Sequence, residues 1–136
     1  MRRKSRRNRK VVIVEDDMML ARMYKERLEQ EGYEVLWAPN GIDAMYTVLS
    51  HYPDLIILDL YLPQRGGLGV LRILRSLPEL RQIPVVVVTN YDDVDYRSAA
   101  ERYGVTGFYK KTEITPGDLV LATNHIISER SAVASE

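Results

Sequence analysis

Cysteine is absent from this sequence of 136 residues. Its absence excludes a disulfide scaffold, thiolate chemistry and zinc sites built on cysteine, and it is compatible with a reducing cytosol. Long hydrophobic runs are also missing. No apolar segment approaches the ~20 residues of a membrane-spanning helix, and the basic N-terminus precedes only four aliphatic residues, too few for a secretory signal. We therefore expect one cytoplasmic domain, because the chain is long enough for a single core but not for two.

Acidic residues are absent from residues 1–10, which carry seven of the nineteen basic side chains. The other 126 residues hold twelve basic and nineteen acidic groups, so the net charge of zero conceals a split. A basic segment without apolar residues cannot bury itself, and we predict a disordered arm over residues 1–10. The arm could contact nucleic acid, although a solvated tail is the simpler interpretation. Residues 129–136 are predicted to form a C-terminal tail that frays.

Four consecutive aliphatic residues, Leu55 to Leu58, run directly into the carboxylate of Asp59. With proline on both sides, the segment predicts a strand buried on both faces, as in the middle of a parallel sheet. Ligands of open α/β sheets bind beyond the carboxyl ends of the strands, so Asp59 is placed for chemistry. Taken alone, the segment also allows an Asp that merely begins a turn.

Three further apolar segments end in polar side chains. They are Val11–Val14 before Glu15, Asp16 and Asp17; Pro84–Val88 before Thr89 and Asn90; and Val105–Tyr109 before Lys110 and Lys111. If these strands are parallel neighbours, their polar ends meet at one edge of the sheet. Crowded carboxylates repel each other, and a hard divalent cation with oxygen ligands, most commonly Mg²⁺, relieves the repulsion.

Helices are predicted between the strands, where apolar residues recur at three- and four-residue spacing. The first is predicted over Met18 to Glu31, with an apolar face made of Leu20, Met23, either Met19 or Tyr24, and Leu28. The last opens at Thr115, an N-cap hydroxyl followed by proline and, three residues after the cap, an acid. The fourth, within 92–103, is mostly polar, and we expect it to be the least well anchored.

Strand and helix thus alternate five times between residues 11 and 128. Right-handed crossovers, with helices on both faces, predict a doubly wound three-layer α/β sandwich. The expected fold is a flavodoxin-like (βα)5 arrangement, whose five-stranded parallel sheet has the order 2-1-3-4-5.

These residues resemble the receiver domain of two-component response regulators, the CheY-like superfamily. The motifs that carry the resemblance are Glu15-Asp16-Asp17, Asp59 with Pro63 and Gly66-Gly67, Thr89, and Gly107 to Lys111. The resemblance covers residues 11 to about 128, and these motifs all occur in the family's order.

The resemblance implies a phospho-acceptor switch. Asp59 would accept a phosphoryl group from a phosphohistidine on a sensor histidine kinase or a histidine phosphotransfer protein. Asp59 would also bind Mg²⁺, together with Asp16, the backbone carbonyl of Tyr61 and, through a water molecule, Glu15.

The resemblance also assigns the groups that respond to phosphorylation. Thr89 and Lys111 would contact the phosphoryl group, and Phe108 would reorient together with Thr89. The protein would then be a switch with self-catalysed phosphotransfer and autodephosphorylation rather than an enzyme.

Four positions depart from the family's pattern. Thr112 stands where the family usually has proline, so the bond before it lacks the low cis cost of an X-Pro bond. Asn90 replaces the usual small Ala or Ser after the switch hydroxyl, and it is expected to tune the site by crowding it or by adding a hydrogen bond. Tyr61 and Tyr91 occupy the two positions that tune hydrolysis, and their rings are predicted to slow autodephosphorylation by blocking the attacking water.

We expect the output to be binding. No further domain follows the last helix, which predicts a stand-alone protein read by a separate effector, or by a second copy in a homodimer, through the face of the fourth helix, fifth strand and fifth helix. Two alternatives stay open. One is a Mg²⁺-dependent phosphohydrolase with Asp59 as a transient nucleophile, which would typically need a second Asp where Tyr61 stands. The other is a nucleic-acid-associated protein that uses the arm of residues 1–10.

Overall fold

The structure is a computed structural model that describes residues 9–63, 66–90 and 93–135. In these residues, strand and helix alternate along the chain as predicted. The strands are β1 (Lys10–Val14), β2 (Glu34–Ala38), β3 (Leu55–Leu58), β4 (Val85–Thr89) and β5 (Gly107–Lys110). The helices are α1 (Met18–Gln30), α2 (Gly41–His51), α3 (Gly67–Ser76), α4 (Val94–Arg102) and α5 (Pro116–Ser135).

The strands form one parallel sheet in the order β2-β1-β3-β4-β5, which confirms the predicted doubly wound fold. Val14 at the end of β1 pairs with Leu58 at the end of β3, and Leu58 pairs with Val87 of β4. Thr89, the last residue of β4, pairs with Lys110, the last residue of β5. The register therefore brings the residues that follow β1, β3 and β4 to one edge of the sheet.

Every residue of β3 is buried, which explains its unbroken aliphatic run. Ile56 and Leu58 pack into a core beneath α2, α3 and α4, whereas Leu55 and Ile57 pack into a second core beneath α1 and α5. Successive side chains of a strand point to opposite faces, so a strand covered by helices on both sides must be apolar at every position.

The N-terminal caps of α1 and α5 are formed by residues of the types that favour helix N-termini. Asp17 accepts hydrogen bonds from the backbone N–H groups of Met19 and Leu20 at the start of α1. At α5, the Asp118 N–H donates to the Thr115 hydroxyl and the Thr115 N–H donates to the Asp118 carboxylate, a reciprocal capping box.

The apolar face of α1 agrees with the prediction at Leu28 and at Tyr24, one of the two alternatives, but not at Met23. Ala21, Tyr24 and Leu28 are its buried residues, whereas Met19 is 80% exposed and Met23 is 46% exposed. The small side chain of Ala21 faces the core that covers the sheet. Apolar residues stand on both sides of this stripe, so their spacing alone did not fix which side faces inward.

The described structure extends beyond residues 11–128 at both ends. Arg9 is buried with Nη1 3.4 Å from the carboxylate of Asp54, and Lys10 already belongs to β1. α5 continues to Ser135, and Arg130 within it donates to the Asp54 carbonyl oxygen at 2.8 Å. Asp54 thus ties both ends of the domain together. The basic run at residues 1–10 did not indicate that Arg9 pairs with an acid elsewhere in the chain. Residues 1–8 and 136 lie outside the described residues.

Within the described ranges, none of the helices has the length and apolar character that a bilayer crossing requires.

Candidate functional site

Three carboxylates meet beyond the carboxyl edge of the sheet. Glu15 and Asp16 follow β1, Asp59 follows β3, and one carboxylate oxygen from each lies within 4.8 Å of the others. The Asp59 N–H donates to the Val14 carbonyl oxygen at 3.0 Å, which extends the pairing of the two strands to this point. Glu15 and Asp59 are buried and Asp16 is exposed. The structure therefore assembles the acidic group that the strand ends indicated.

Lys111 bridges the two buried carboxylates. Its Nζ lies 2.6 Å from Glu15 Oε1 and 2.8 Å from Asp59 Oδ2. Burial by itself would lower the pKa of the Lys111 ammonium, but the hydrogen bonds and charges of Asp59 and Glu15 outweigh burial and raise that pKa above its ordinary value. A permanent positive charge therefore stands beside Asp59 at neutral pH.

The loop that carries Asp59 is held from two directions. The Tyr61 N–H donates to Asp59 Oδ1 at 3.0 Å, and the Gly67 N–H donates to the Leu60 carbonyl oxygen at 3.0 Å. A Cβ atom on Gly67 would lie 2.4 Å from Leu60 Cα and 2.6 Å from the Asp59 carbonyl oxygen. Only glycine allows α3 to begin this close to the loop, so Gly67 helps to place Asp59.

Glu15 has an unusual ionisation. The pKa of its carboxyl is raised from 4.5 to about 7. Burial is the largest cause, the hydrogen bonds from Lys111 and the Asp17 N–H oppose the rise, and the nearby Asp59 charge adds to it. The folded protein without bound metal therefore holds a proton over a pH range in which the unfolded chain has released it. The stability from this proton is complete below about pH 4.5 and is lost as the pH rises through about 7.

This ionisation predicts that Glu15→Gln stabilises the protein in EDTA more at about pH 8 than at about pH 5, because glutamine carries no charge to bury. Thermal unfolding midpoints of both proteins at the two pH values measure the difference. Glu26→Gln is the control, because Glu26 is an exposed glutamate on α1. An advantage of Glu15→Gln that does not change with pH would contradict the prediction.

An open cavity of about 300 Å³ lies over the acidic group, lined by Asp16, Asp59, Tyr61, Asn90 and Lys111. Tyr61 stands at its mouth and is 70% exposed, and Asn90 is exposed beside it. Tyr91, the other predicted tuning residue, lies outside the described residues. The Asp59 carboxylate, although buried, thus opens onto a space that a small ligand can enter.

Two further predicted residues flank this site. Thr89 is completely buried at the end of β4, and its carbonyl oxygen accepts a hydrogen bond from the Lys111 N–H at 3.0 Å. Phe108 is half-buried on β5 opposite Val87, and the Arg97 guanidinium of α4 lies over its ring, 4.7 Å from the centroid. This cation–π contact joins α4 to the strand next to the site.

One contact in the site had no sequence signal. The indole N–H of Trp37, on β2, donates to the backbone carbonyl oxygen of Glu15 at 2.6 Å. Residue spacing indicates the face on which a strand residue lies, but not which backbone atom of a neighbouring loop its side chain reaches.

The donor set suits a hard divalent cation. All three clustered side chains offer carboxylate oxygens, which Mg²⁺ and Mn²⁺ prefer over softer ligands. If all three were ionised, the single ammonium of Lys111 would leave negative charge that a cation could balance. The exposure of Asp16 leaves one side open to the water molecules that Mg²⁺ usually keeps.

Comparison with known proteins gives matches of sequence and of structure. The response regulator DivK of Brucella anthropi, described as a polar-differentiation regulator, is 40% identical over 81 residues, which make up 60% of this chain and 66% of that protein. The chain thus matches 66% of the length of this curated relative.

Two solved structures are similar over most of their length. The signal receiver domain of a signal transduction histidine kinase from Syntrophus aciditrophicus has 30% identity and a TM-score of 0.80, and the match covers 88% of this chain and 90% of that one. The Mn²⁺-bound form of the response regulator Rcp1 has 29% identity and a TM-score of 0.73, covering 88% and 92%.

The sequence profile of the response regulator receiver domain matches residues 11–124. The match begins in β1, ends in α5, and includes the three clustered acids and the lysine that bridges two of them. The chain therefore belongs to the response regulator receiver domain family of two-component signal transduction.

Proposed function

We propose that Asp59 accepts a phosphoryl group from a phosphohistidine, and that the phosphorylated protein binds its partners differently. The position of the Asp59 carboxylate carries the proposal. Oδ1 is held by the Tyr61 N–H, Oδ2 by the Lys111 ammonium, and the group borders the cavity. An oriented carboxylate beside a fixed positive charge, open to a small ligand, is suited to in-line attack on phosphorus.

In the proposed reaction, a carboxylate oxygen of Asp59 forms a bond to phosphorus. The P–N bond of the phosphohistidine breaks, and its electron pair returns to the imidazole. The Lys111 ammonium neutralises charge on the equatorial phosphoryl oxygens, and the Thr89 hydroxyl donates a hydrogen bond to one of them. A bound Mg²⁺ would supply further charge neutralisation. Asp59, Asp16 and the Tyr61 carbonyl would hold it directly, and Glu15 through a water molecule.

The proposed switch follows from charge. A phosphoryl group adds about 1.5 to 2 negative charges, which attract Lys111 and Thr89 towards Asp59. Thr89 ends β4 next to β5, where Phe108 contacts Arg97 of α4. Among the described residues of α4, only Ala100 is buried, so little burial opposes a shift of this helix.

Receiver domains act with histidine kinases and effectors. For this chain we propose that a sensor histidine kinase or a histidine phosphotransfer protein donates the phosphoryl group. The face formed by α4, β5 and α5 would bind an effector or a second copy. A phosphohydrolase is less well supported, because the side chain at position 61 is a tyrosine at the mouth of the cavity rather than an acid beside Asp59.

The test is incubation of the protein with acetyl phosphate, followed by intact mass measurement. We expect one phosphoryl group per chain with Mg²⁺ and none in EDTA. Asp43→Asn, at an exposed aspartate of α2, is expected to be labelled like the wild type. Multiple turnover of acetyl phosphate without an accumulated phosphoprotein would favour the phosphohydrolase instead.

The tyrosine at the cavity mouth gives a prediction about lifetime. Combining Tyr61→Ala with Tyr91→Ala is expected to shorten the lifetime of the acyl phosphate several-fold, because the approach of water to phosphorus becomes wider. The decay of the phosphorylated mass after removal of acetyl phosphate measures it. Tyr46→Ala removes an exposed tyrosine from α2 and is the control. An unchanged lifetime in the double variant would show that these rings do not shield the site.

A further inference from the structure

The only tryptophan of the sequence, Trp37, lies on the edge strand β2 and remains 37% exposed. Its ring faces α1, where it lines a surface groove with Met18 and Ala21. The indole N–H points back towards the sheet and donates to the Glu15 carbonyl oxygen at 2.6 Å. A large side chain at the edge of the sheet is therefore attached to the backbone of the acidic loop.

This hydrogen bond lies at the point where the pairing of β1 with β2 ends. The pairing of β1 with β2 reaches the Glu15 N–H, which donates to the Ala38 carbonyl oxygen at 3.1 Å. β2 ends at Ala38, and the chain then turns into α2, whose N-cap is Asn40. The side chain of Trp37 provides a donor to the Glu15 carbonyl at the point where the sheet ends.

Glu15 is consequently held at three places. Ala38 holds its N–H and Trp37 its carbonyl oxygen, while its carboxylate is held by the Asp17 N–H at 3.1 Å and by Lys111 Nζ at 2.6 Å. Asp16 lies between Glu15 and Asp17, which are joined by the hydrogen bond from the Asp17 N–H. The direction of its exposed side chain therefore depends on the backbone of these two neighbours. Of the two hydrogen bonds that join the Glu15 backbone to Ala38 and Trp37, the one from the indole comes from a side chain.

We propose that Trp37 is a positioning residue for the acidic pair Glu15 and Asp16, and that its indole N–H sets the affinity of the site for a divalent cation. This inference rests on the proposed function of the site. Outer-shell partners that orient metal ligands typically change affinity by about 10- to 100-fold when they are removed. Trp37 acts through the backbone of Glu15 and does not touch the reacting atoms.

The experiment compares Trp37→Phe with Leu36→Ala. Phenylalanine keeps an aromatic ring on the α1 side but has no N–H. Leu36 precedes Trp37 on β2 and packs against the opposite core, so its truncation weakens packing and leaves the indole bond intact. The measurements are Mg²⁺ titration calorimetry, the rate of phosphorylation by acetyl phosphate against Mg²⁺ concentration, and the unfolding midpoint in EDTA.

For Trp37→Phe we expect a Mg²⁺ dissociation constant raised roughly tenfold and an equal rise in the half-saturating Mg²⁺ concentration. The phosphorylation rate at saturating Mg²⁺ should be unchanged. For Leu36→Ala we expect a lower unfolding midpoint with wild-type Mg²⁺ affinity.

Wild-type Mg²⁺ affinity in Trp37→Phe would overturn the inference, and so would weakened binding in both variants in proportion to their loss of stability. If the wild type itself neither binds Mg²⁺ nor becomes phosphorylated, the proposed function fails and the inference fails with it. If the wild type does both and only Trp37→Phe behaves unexpectedly, the inference fails alone.

Discussion

Asp59→Asn is expected to abolish phosphorylation by acetyl phosphate completely. The amide has nearly the same size as the carboxylate and its oxygen can still accept the Tyr61 N–H, but it lacks the charged oxygen that attacks phosphorus. Lys111 retains Glu15 at 2.6 Å, so its ammonium stays paired and the domain stays folded. Intact mass after incubation with acetyl phosphate and Mg²⁺ measures the loss, and circular dichroism checks the fold.

Asp16→Asn is the matched comparison, because it removes a carboxylate from the same group but leaves the proposed acceptor, Asp59, in place. We expect Asp16→Asn to be phosphorylated only at Mg²⁺ concentrations well above those that the wild type needs. The two variants thus separate the proposed acceptor from a proposed metal ligand. A phosphoryl group that still appears on Asp59→Asn would place the acceptor at another residue.

The fold could be predicted from the sequence because few folds bury an aliphatic strand on both of its faces. A four-residue aliphatic run such as Leu55–Leu58 needs cover on both faces, and alternation with helices leaves a parallel sheet as the solution. The meeting of Glu15 and Asp59 then follows from topology, since the residues after two adjacent parallel strands leave the sheet at the same edge.

Contacts that depend on three-dimensional packing could not be predicted from the sequence. The spacing of apolar residues did not show that Met19 of α1 is exposed and Ala21 buried, because apolar residues stand on both sides of the buried stripe. The burial of Arg9 depends on Asp54, 45 residues later in the chain. The Trp37 indole bond likewise depends on where one loop leaves the sheet. Each of these contacts joins groups that no local pattern connects.

The second large prediction concerns Lys111, because its ammonium bridges the buried carboxylates of Glu15 and Asp59. Lys111→Met is expected to lower the free energy of unfolding in EDTA by roughly 3 kcal/mol at about pH 8, the usual cost of removing one partner from a buried ion pair. Phosphorylation is expected to slow by about 100-fold, since a preorganised positive charge is lost from the transition state.

The pH dependence gives this prediction its sharpest test. The pKa of Glu15 already stands at about 7 with Lys111 present, and removing the ammonium raises it further. At about pH 6 Glu15 in the variant is protonated and part of the uncompensated charge disappears, so the loss of stability should grow as the pH rises from about 6 to about 8.

Lys25→Met is the control, because Lys25 pairs with Glu29 at 3.6 Å on the exposed face of α1. That exposed pair is worth at most about 1 kcal/mol. Equal and pH-independent effects of the two substitutions would mean that Lys111 does not hold the acidic group together.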